Sequence, residues 1–464
     1  MNRSYILRFG WIIGSLAVSR KSVPKYLHLA KDLAALEDAE CDSEVGLGRL
    51  RSYQGEGEEL CTSGNSDASA SFRCTAKWTK RSQTEAESGD YLCRGKGMKI
   101  LLPQAGSKEP LQLYGQEGGC NWKLQHLQLD FFLWEGRDLK LDLRNGPTDA
   151  ACDEDMGSSP VLLFSDEPSF WNPFISQAQV LMGYVSLAAL DLDPKSLRMV
   201  VAVDEEDCCG AKAPLMGLLQ GLFSQAGPSI RRKEKPQMIC SNDVIVPTGG
   251  RNSFVRKNAG KEDPWASKCR NSPLVRGYGS FVRESFNVTS NPVQASTWRI
   301  ALLSRKANSD HTGKFNREMT NVEEVVTGLK ANGTEEAPTS LLEVAALQRS
   351  LESQGAQVTV LEMEALPIVD QVRAIANTDL LISAHSAALS WMMALPPCAQ
   401  VLEICAAGNF QFINYAKLAG VEHHCVGPHI AWGTRTFKAP VSEMVRDALA
   451  AKERRDQCLQ SVVS

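Results

Sequence analysis

The chain has 464 residues, 43% hydrophobic and 22% charged, long enough for two domains with cores of their own. Fifty Lys and Arg against 54 Asp and Glu leave a formal net charge of −4, which gives no basic surface for a phosphate backbone and excludes nucleic acid as the expected partner. Fourteen scattered cysteines, with no two pairs at metal-ligand spacing, point to disulfides in an oxidising compartment rather than a metal site, with buried reduced thiols as the other reading.

Residues 1–20 read as a signal peptide or short signal anchor. Arg3 and Arg8 precede the apolar run Phe9–Val18, which is shorter than the roughly 20 residues a membrane span needs. An amphipathic first helix of a soluble domain is the alternative. Asn-x-Ser/Thr sequons at Asn287 and Asn332 agree with luminal exposure. Residues 21–120, rich in Gly, Ser, Glu and Cys and short of periodicity, read as a disulfide-tied stem or irregular region.

A first lobe is expected over 121–290. Alternation on both sides of "EGRD" in 124–143 predicts a hairpin, and "PVLLFS" and "LRMVVAV" suit buried parallel strands around a helix, "SQAQVLMGYVSLAAL". Acidic residues follow both strands: Asp166 and Glu167 after the first, Asp204 after the second. The basic, Gly-rich stretch 247–271 is expected to be a loop.

A second lobe over 291–464 alternates strands and helices: strands at 299–306, 357–363, 379–384 and 400–405, and helices at 321–333, 341–355, 366–377, 386–395 and 410–420. That order predicts a parallel sheet covered on both faces. Asn321 and Glu324 have capping-box spacing.

In an open α/β sheet, ligands lie outside the C-terminal strand ends, where helix N-termini present unpaired N–H groups. The rule selects Ser304 and Arg305 after one strand, Ser383, His385 and Ser386 after another, and Glu403 at the end of a third. Arg305 could pair with a phosphate and Glu403 could accept from a ribose, although a solvated cation, a capping histidine and a helix-capping acid are the plainer readings of each alone. No GxGxxG, Walker or GxSxG pattern occurs, which lowers hydride transfer, ATP hydrolysis and serine hydrolase chemistry.

The run "ALLSRK…NVEEVV…LPIVDQVRAIANTDLLISAHSAALSWMMALPPCAQVLEI" resembles glycosyltransferase family 61, the family of EGF-domain O-GlcNAc transferases and plant xylan arabinosyl- and xylosyltransferases. The family's Arg, Asn, Thr-Asp pair, His and Pro-Pro to Glu-Ile segment are all present. The resemblance implies a GT-B-like α/β fold: two Rossmann-like lobes with an N-terminal stem, the donor in the second lobe. It also implies an inverting Golgi or endoplasmic reticulum enzyme, type II or secreted, that takes a UDP-sugar without a bound metal or other cofactor. Ser304, Arg305, Ser383, His385, Ser386 and Glu403 would line the donor site. His385 would assist the chemistry, and Asp166, Glu167 and Asp204 are the candidate bases. Ser383, Ser386 and Ala388 stand where the family has glycines, and Ile175 and Gln179 where it has His and Asp. The expected partners are a nucleotide-sugar donor, a glycan or glycoprotein acceptor and, through residues 1–20, a membrane. A catalytically silent luminal binding protein and a soluble cytosolic α/β enzyme are the competing classes.

Overall fold

A computed structural model describes residues 36–463 apart from 64–69, 78–84, 87–89, 108, 117–118, 133–136, 146–149, 165–171, 205–213, 224–229, 250–252, 256–267, 290–296, 305–317, 331–355 and 432–433. From Trp298 onward, short runs of Leu, Ile and Val form a five-stranded parallel sheet. Its order in space is Ala356–Leu361, Trp298–Leu303, Leu380–Ala384, Gln400–Ile404, Glu422–Cys425. The two central strands that end at Ala384 and Ile404 are buried along their whole length, which is why they read as nearly unbroken apolar runs.

Leu380, Ile382, Leu402 and Ile404 pack beneath helices Val322–Lys330 and Val441–Val463. Leu381 and Val401 face the helices Ile368–Ala376 and Gln411–Ala419 and the 3-10 helix Ala387–Ala394. Numbered along the chain, the strands lie in the order 2-1-3-4-5. The winding reverses between Trp298–Leu303 and Leu380–Ala384, so a crevice lies outside their C-terminal ends.

The opposite end of these strands is pinned by Asp379. It accepts from the backbone N, Nε and Nη2 of Arg299 at 2.9, 3.0 and 2.8 Å, and Arg455 of the last helix reaches it at 3.4 Å. Asp379 and Arg455 are both fully enclosed.

The first lobe contains two sheets. In the eight-stranded sheet, Val161–Phe164 runs parallel to Arg198–Asp204 and to Val244–Pro247. Beyond Val244–Pro247 the sheet continues through the antiparallel strands Asp90–Lys96, Ser71–Lys77, Glu58–Ser63 and Cys120–Trp122. Val161, Leu163, Val200 and Val246 pack against Ile100, Leu102, Leu113 and Leu141 of the seven-stranded sheet. On the other face, Leu162, Phe164, Met199 and Val201 meet the helix Pro173–Leu190. That 18-residue helix is long and apolar enough to cross a bilayer, but 89% of it is buried: it is the central core helix, and one continuous core runs through it from the first-lobe sheet to the second.

Several expectations change. The described residues of the stretch read as an irregular stem supply strands to both sheets; Met98, Ile100 and Leu102 alternate inward as a half-buried strand requires. The first lobe is therefore a two-sheet sandwich with helices on one outer face, and only its Val161 to Val244 portion is wound like the second lobe. The expected 386–395 helix is a 3-10 helix, Ala387–Ala394. The hairpin forms as His126–Phe132 against Arg137–Leu143. The helix expected at 341–355, most of the 247–271 loop and residues 1–20 lie outside the described residues.

Among the described residues, six disulfides link Cys41–Cys269, Cys61–Cys120, Cys74–Cys93, Cys152–Cys240, Cys398–Cys458 and Cys405–Cys425. Their number fits a luminal or secreted protein.

Candidate functional site

The Leu380–Ala384 strand leads straight into the turn that carries His385. The His385 backbone N–H donates to Ile404 O at 3.0 Å, so the turn stays tied to the neighbouring strand while the chain bends into the Ala387–Ala394 helix. Ser386 stands at the N-cap in extended conformation without a side-chain cap, and its half-buried hydroxyl lies 3.2 Å from that of Ser383. Ser383 Oγ donates to Ala384 O at 2.7 Å. The hydroxyl that stands in place of a glycine is thus folded back onto its own strand.

Side chains alternate along a strand, so Ser383, His385 and Glu403 share the sheet face covered by the Gln411–Ala419 helix. His385 Nδ1 lies 2.5 Å from Glu403 Oε1, and its ring lies 4.9 Å from that of Phe412, centroid to centroid. Phe412 in turn meets Phe174 of the central helix at 5.5 Å. The first turn of that helix is fixed by Asn172, whose Oδ1 accepts from Phe174 N at 3.0 Å and Ile175 N at 3.4 Å. The histidine is therefore wedged between its own sheet and an aromatic stack that reaches the first lobe.

Glu403 has a second imidazole. His423, on the edge strand Glu422–Cys425, places Nε2 2.6 Å from Oε2. Glu403 is 1% exposed and His385 5%. Burial pushes the Glu403 carboxyl up, but hydrogen bonds from His385 and His423, and their charge, outweigh it and hold it below the usual carboxylate range. An ionised carboxylate only accepts, so each ring presents an N–H: Nδ1 of His385 and Nε2 of His423. Nε2 of His385 is the nitrogen turned away from Glu403, and a ring so arranged can accept a proton there or, once protonated, donate to an anionic oxygen.

Glu403, Cys405 and His423 offer ligand atoms within 4.8 Å of one another. The Cys405 sulfur is bonded to Cys425, so the set does not suit a metal ion as it stands.

Of the residues singled out from sequence, Ser383, His385, Ser386 and Glu403 come together around this turn. Ser304 follows the strand on the other side of the crevice, where its N–H donates to Leu361 O at 3.0 Å. Glu403 differs from its expected role: both its oxygens already serve imidazoles, so it backs His385 instead of facing a ribose. Asp204 closes its strand in register with Arg232. Asp166, Glu167 and Arg305 lie outside the described residues. Ile175 and Gln179 are buried in the central helix. Phe412 and His423 were not picked out from sequence: an aromatic in an amphipathic helix and a histidine in a short edge strand carry no local signature, and only helix packing brings Phe412 to His385 and the sheet register His423 to Glu403.

Residues 264–402 match the family described as Glycosyltransferase 61. The EGF domain-specific O-linked N-acetylglucosamine transferase of Bos taurus is 26% identical over 161 residues, which cover 34% of this chain and 26% of that protein. The enzyme of the same name in Drosophila melanogaster is 26% identical over 207 residues, 44% of this chain and 32% of that one. The match thus spans roughly a quarter to a third of the length of these relatives. Among solved structures, the iron-containing heptosyltransferase TibC, in complex with ADP-D-beta-D-heptose, is 11% identical; the alignment covers 88% of this chain and 99% of TibC with a TM-score of 0.26, too slight a likeness to bear on the fold.

Proposed function

We propose, from the match of residues 264–402 to glycosyltransferase family 61, that this chain moves a sugar from a UDP donor to a hydroxyl of a glycan or glycoprotein, with inversion. The sugar is of the GlcNAc, xylose or arabinose type. The arrangement is GT-B-like in function, with the donor held by the second lobe. The setting is the Golgi or endoplasmic reticulum lumen, with residues 1–20 as signal or anchor.

The observation that carries this reading is the position of His385: at the C-terminal end of a central parallel strand, beside the point where the winding reverses, with its ring fixed by a buried carboxylate. In the reaction, the acceptor oxygen attacks the anomeric carbon, the bond from that carbon to the diphosphate oxygen breaks, and the acceptor proton passes to a base. His385, Arg305 and the backbone N–H groups of the turn stabilise the departing diphosphate, with Ser304, Ser383 and Ser386 around it. Asp166, Glu167 and Asp204, which follow first-lobe strands, are the proposed bases. No metal takes part in this scheme.

The purified protein incubated with UDP-GlcNAc, UDP-xylose and UDP-arabinose is expected to release UDP from one of them, slowly even without acceptor. No release together with no UDP binding by calorimetry overturns the reading. Binding without turnover selects the catalytically silent luminal protein instead.

A further inference from the structure

We propose that His423 is a positioning residue of this site, acting through Glu403 to fix the ring orientation and proton placement of His385. The inference rests on the donor-site reading of His385 and adds a residue beyond the 264–402 segment.

Three observations carry it. First, His385 and His423 each take one oxygen of the same buried carboxylate, at 2.5 and 2.6 Å, so neither ring can turn without changing what the other's partner accepts. Second, the His423 side chain is itself 4% exposed although it sits on the edge strand of the sheet; it points inward to Glu403 rather than to solvent. Third, the contact is stapled. Glu403 pairs in register with Cys425, and the disulfide from Cys425 to Cys405 crosses between the same two strands, two residues beyond Glu403 on one and two beyond His423 on the other.

The physical consequence is an ordered relay. A carboxylate with one imidazole can rotate and offer either oxygen. With Oε2 committed to His423, Oε1 is held where His385 Nδ1–H meets it. That fixes the His385 proton on Nδ1 and aims Nε2 away from Glu403, the nitrogen that would meet the diphosphate. A purely structural histidine would only satisfy the carboxylate, and its loss would lower stability without altering His385.

The test compares His423→Phe, which fills the volume without a donor, with His423→Gln, whose amide can still donate to Oε2. For the Phe variant, kcat for UDP-sugar turnover is expected to fall roughly 10- to 100-fold with the donor KM little changed, as for loss of the group that orients a functional histidine. The Gln variant is expected to restore most of it. Nitrogen-labelled histidine NMR of the full chain should show His385 as the Nδ1–H form in the wild type and in His423→Gln, and a mixture of tautomers in His423→Phe. If His423→Phe does not fold, His423→Asn, one methylene too short to reach Oε2, is read in its place. Wild-type tautomer and kcat retained in the variant that cannot donate overturn the proposal. If the wild type turns over no donor, the transferase reading falls, while the NMR comparison still decides the relay.

Discussion

Glu403, on the strand Gln400–Ile404, and His385, in the turn that follows the neighbouring parallel strand, have their side chains 2.5 Å apart and almost wholly enclosed, so a buried carboxylate of this sheet face is bonded to a histidine at its ligand edge. Glu403→Ala leaves two imidazoles without their acceptor inside the protein. Removing one partner of a buried pair costs about 3–5 kcal/mol. Urea unfolding is expected to show a loss of that order, and an unchanged midpoint would show that the contact stabilises nothing.

Acid sensitivity follows from the same carboxylate. In the unfolded chain it titrates near 4.5, and in the folded protein below that. The sign is that of a depressed acid: its stabilisation is complete above pH 4.5 and disappears as the pH falls through the lowered folded value. Glu403→Gln should flatten this part of the stability curve below pH 4.5, and a curve identical to the wild type would remove Glu403 as its source.

At the far end of the sheet, Asp379→Ala strips the carboxylate from Arg299 and takes one partner from the buried Arg455, which keeps Asp456 at 2.9 Å and Thr297 O at 3.1 Å. The expected loss is again about 3–5 kcal/mol, read by chemical denaturation. Because the contact lies away from the crevice, the UDP affinity of the folded fraction should stay as in the wild type.

Gly279, on the helix Pro273–Ser285, lies so close to the Ala387–Ala394 turn that an added Cβ would clash with the Met393 carbonyl oxygen. Gly279→Ala should therefore cost about 1–3 kcal/mol by overpacking and displace the helix that follows His385. A thermal midpoint equal to the wild type would show that the turn yields freely.

Asn287, just past the same helix, is exposed with φ 52° and begins an Asn-Val-Thr sequon. In a luminal protein it is a ready acceptor for an N-glycan. Endoglycosidase should lower the mass of the protein expressed in eukaryotic cells, and Asn287→Gln should remove part of that shift; no shift in the wild type would show that Asn287 carries no glycan.

How far the fold was legible depended on the lobe. In the second lobe, "DLLISA" and "QVLEIC" are apolar because both faces are covered, and the strand-end rule then led to Ser383, His385 and Glu403 without further help. The region before residue 120 gave little, since its strands are short, interrupted by Gly and Cys, and paired antiparallel with partners far along the chain, such as Asp90–Lys96 with Val244–Pro247. The Val441–Val463 helix was legible but overlooked: Met444, Val445, Ala448, Ala451 and Arg455 recur at helical spacing on its buried side. Asn321 shows the limit of local motifs. Its side chain has the spacing of a cap, but its Oδ1 accepts from Ala439 N at 2.8 Å and its Nδ2 donates to Ala439 O at 3.0 Å, tying the helix start to the chain before the last helix.

The most direct test of the donor site is calorimetric titration of UDP into the wild type and His385→Ala. The wild type is expected to bind, and the variant to lose about 1.5–3 kcal/mol, the worth of a hydrogen bond to a charged group, or roughly tenfold or more in affinity. Equal affinity in the two proteins, or no binding by the wild type, would contradict the placement of the donor at this turn.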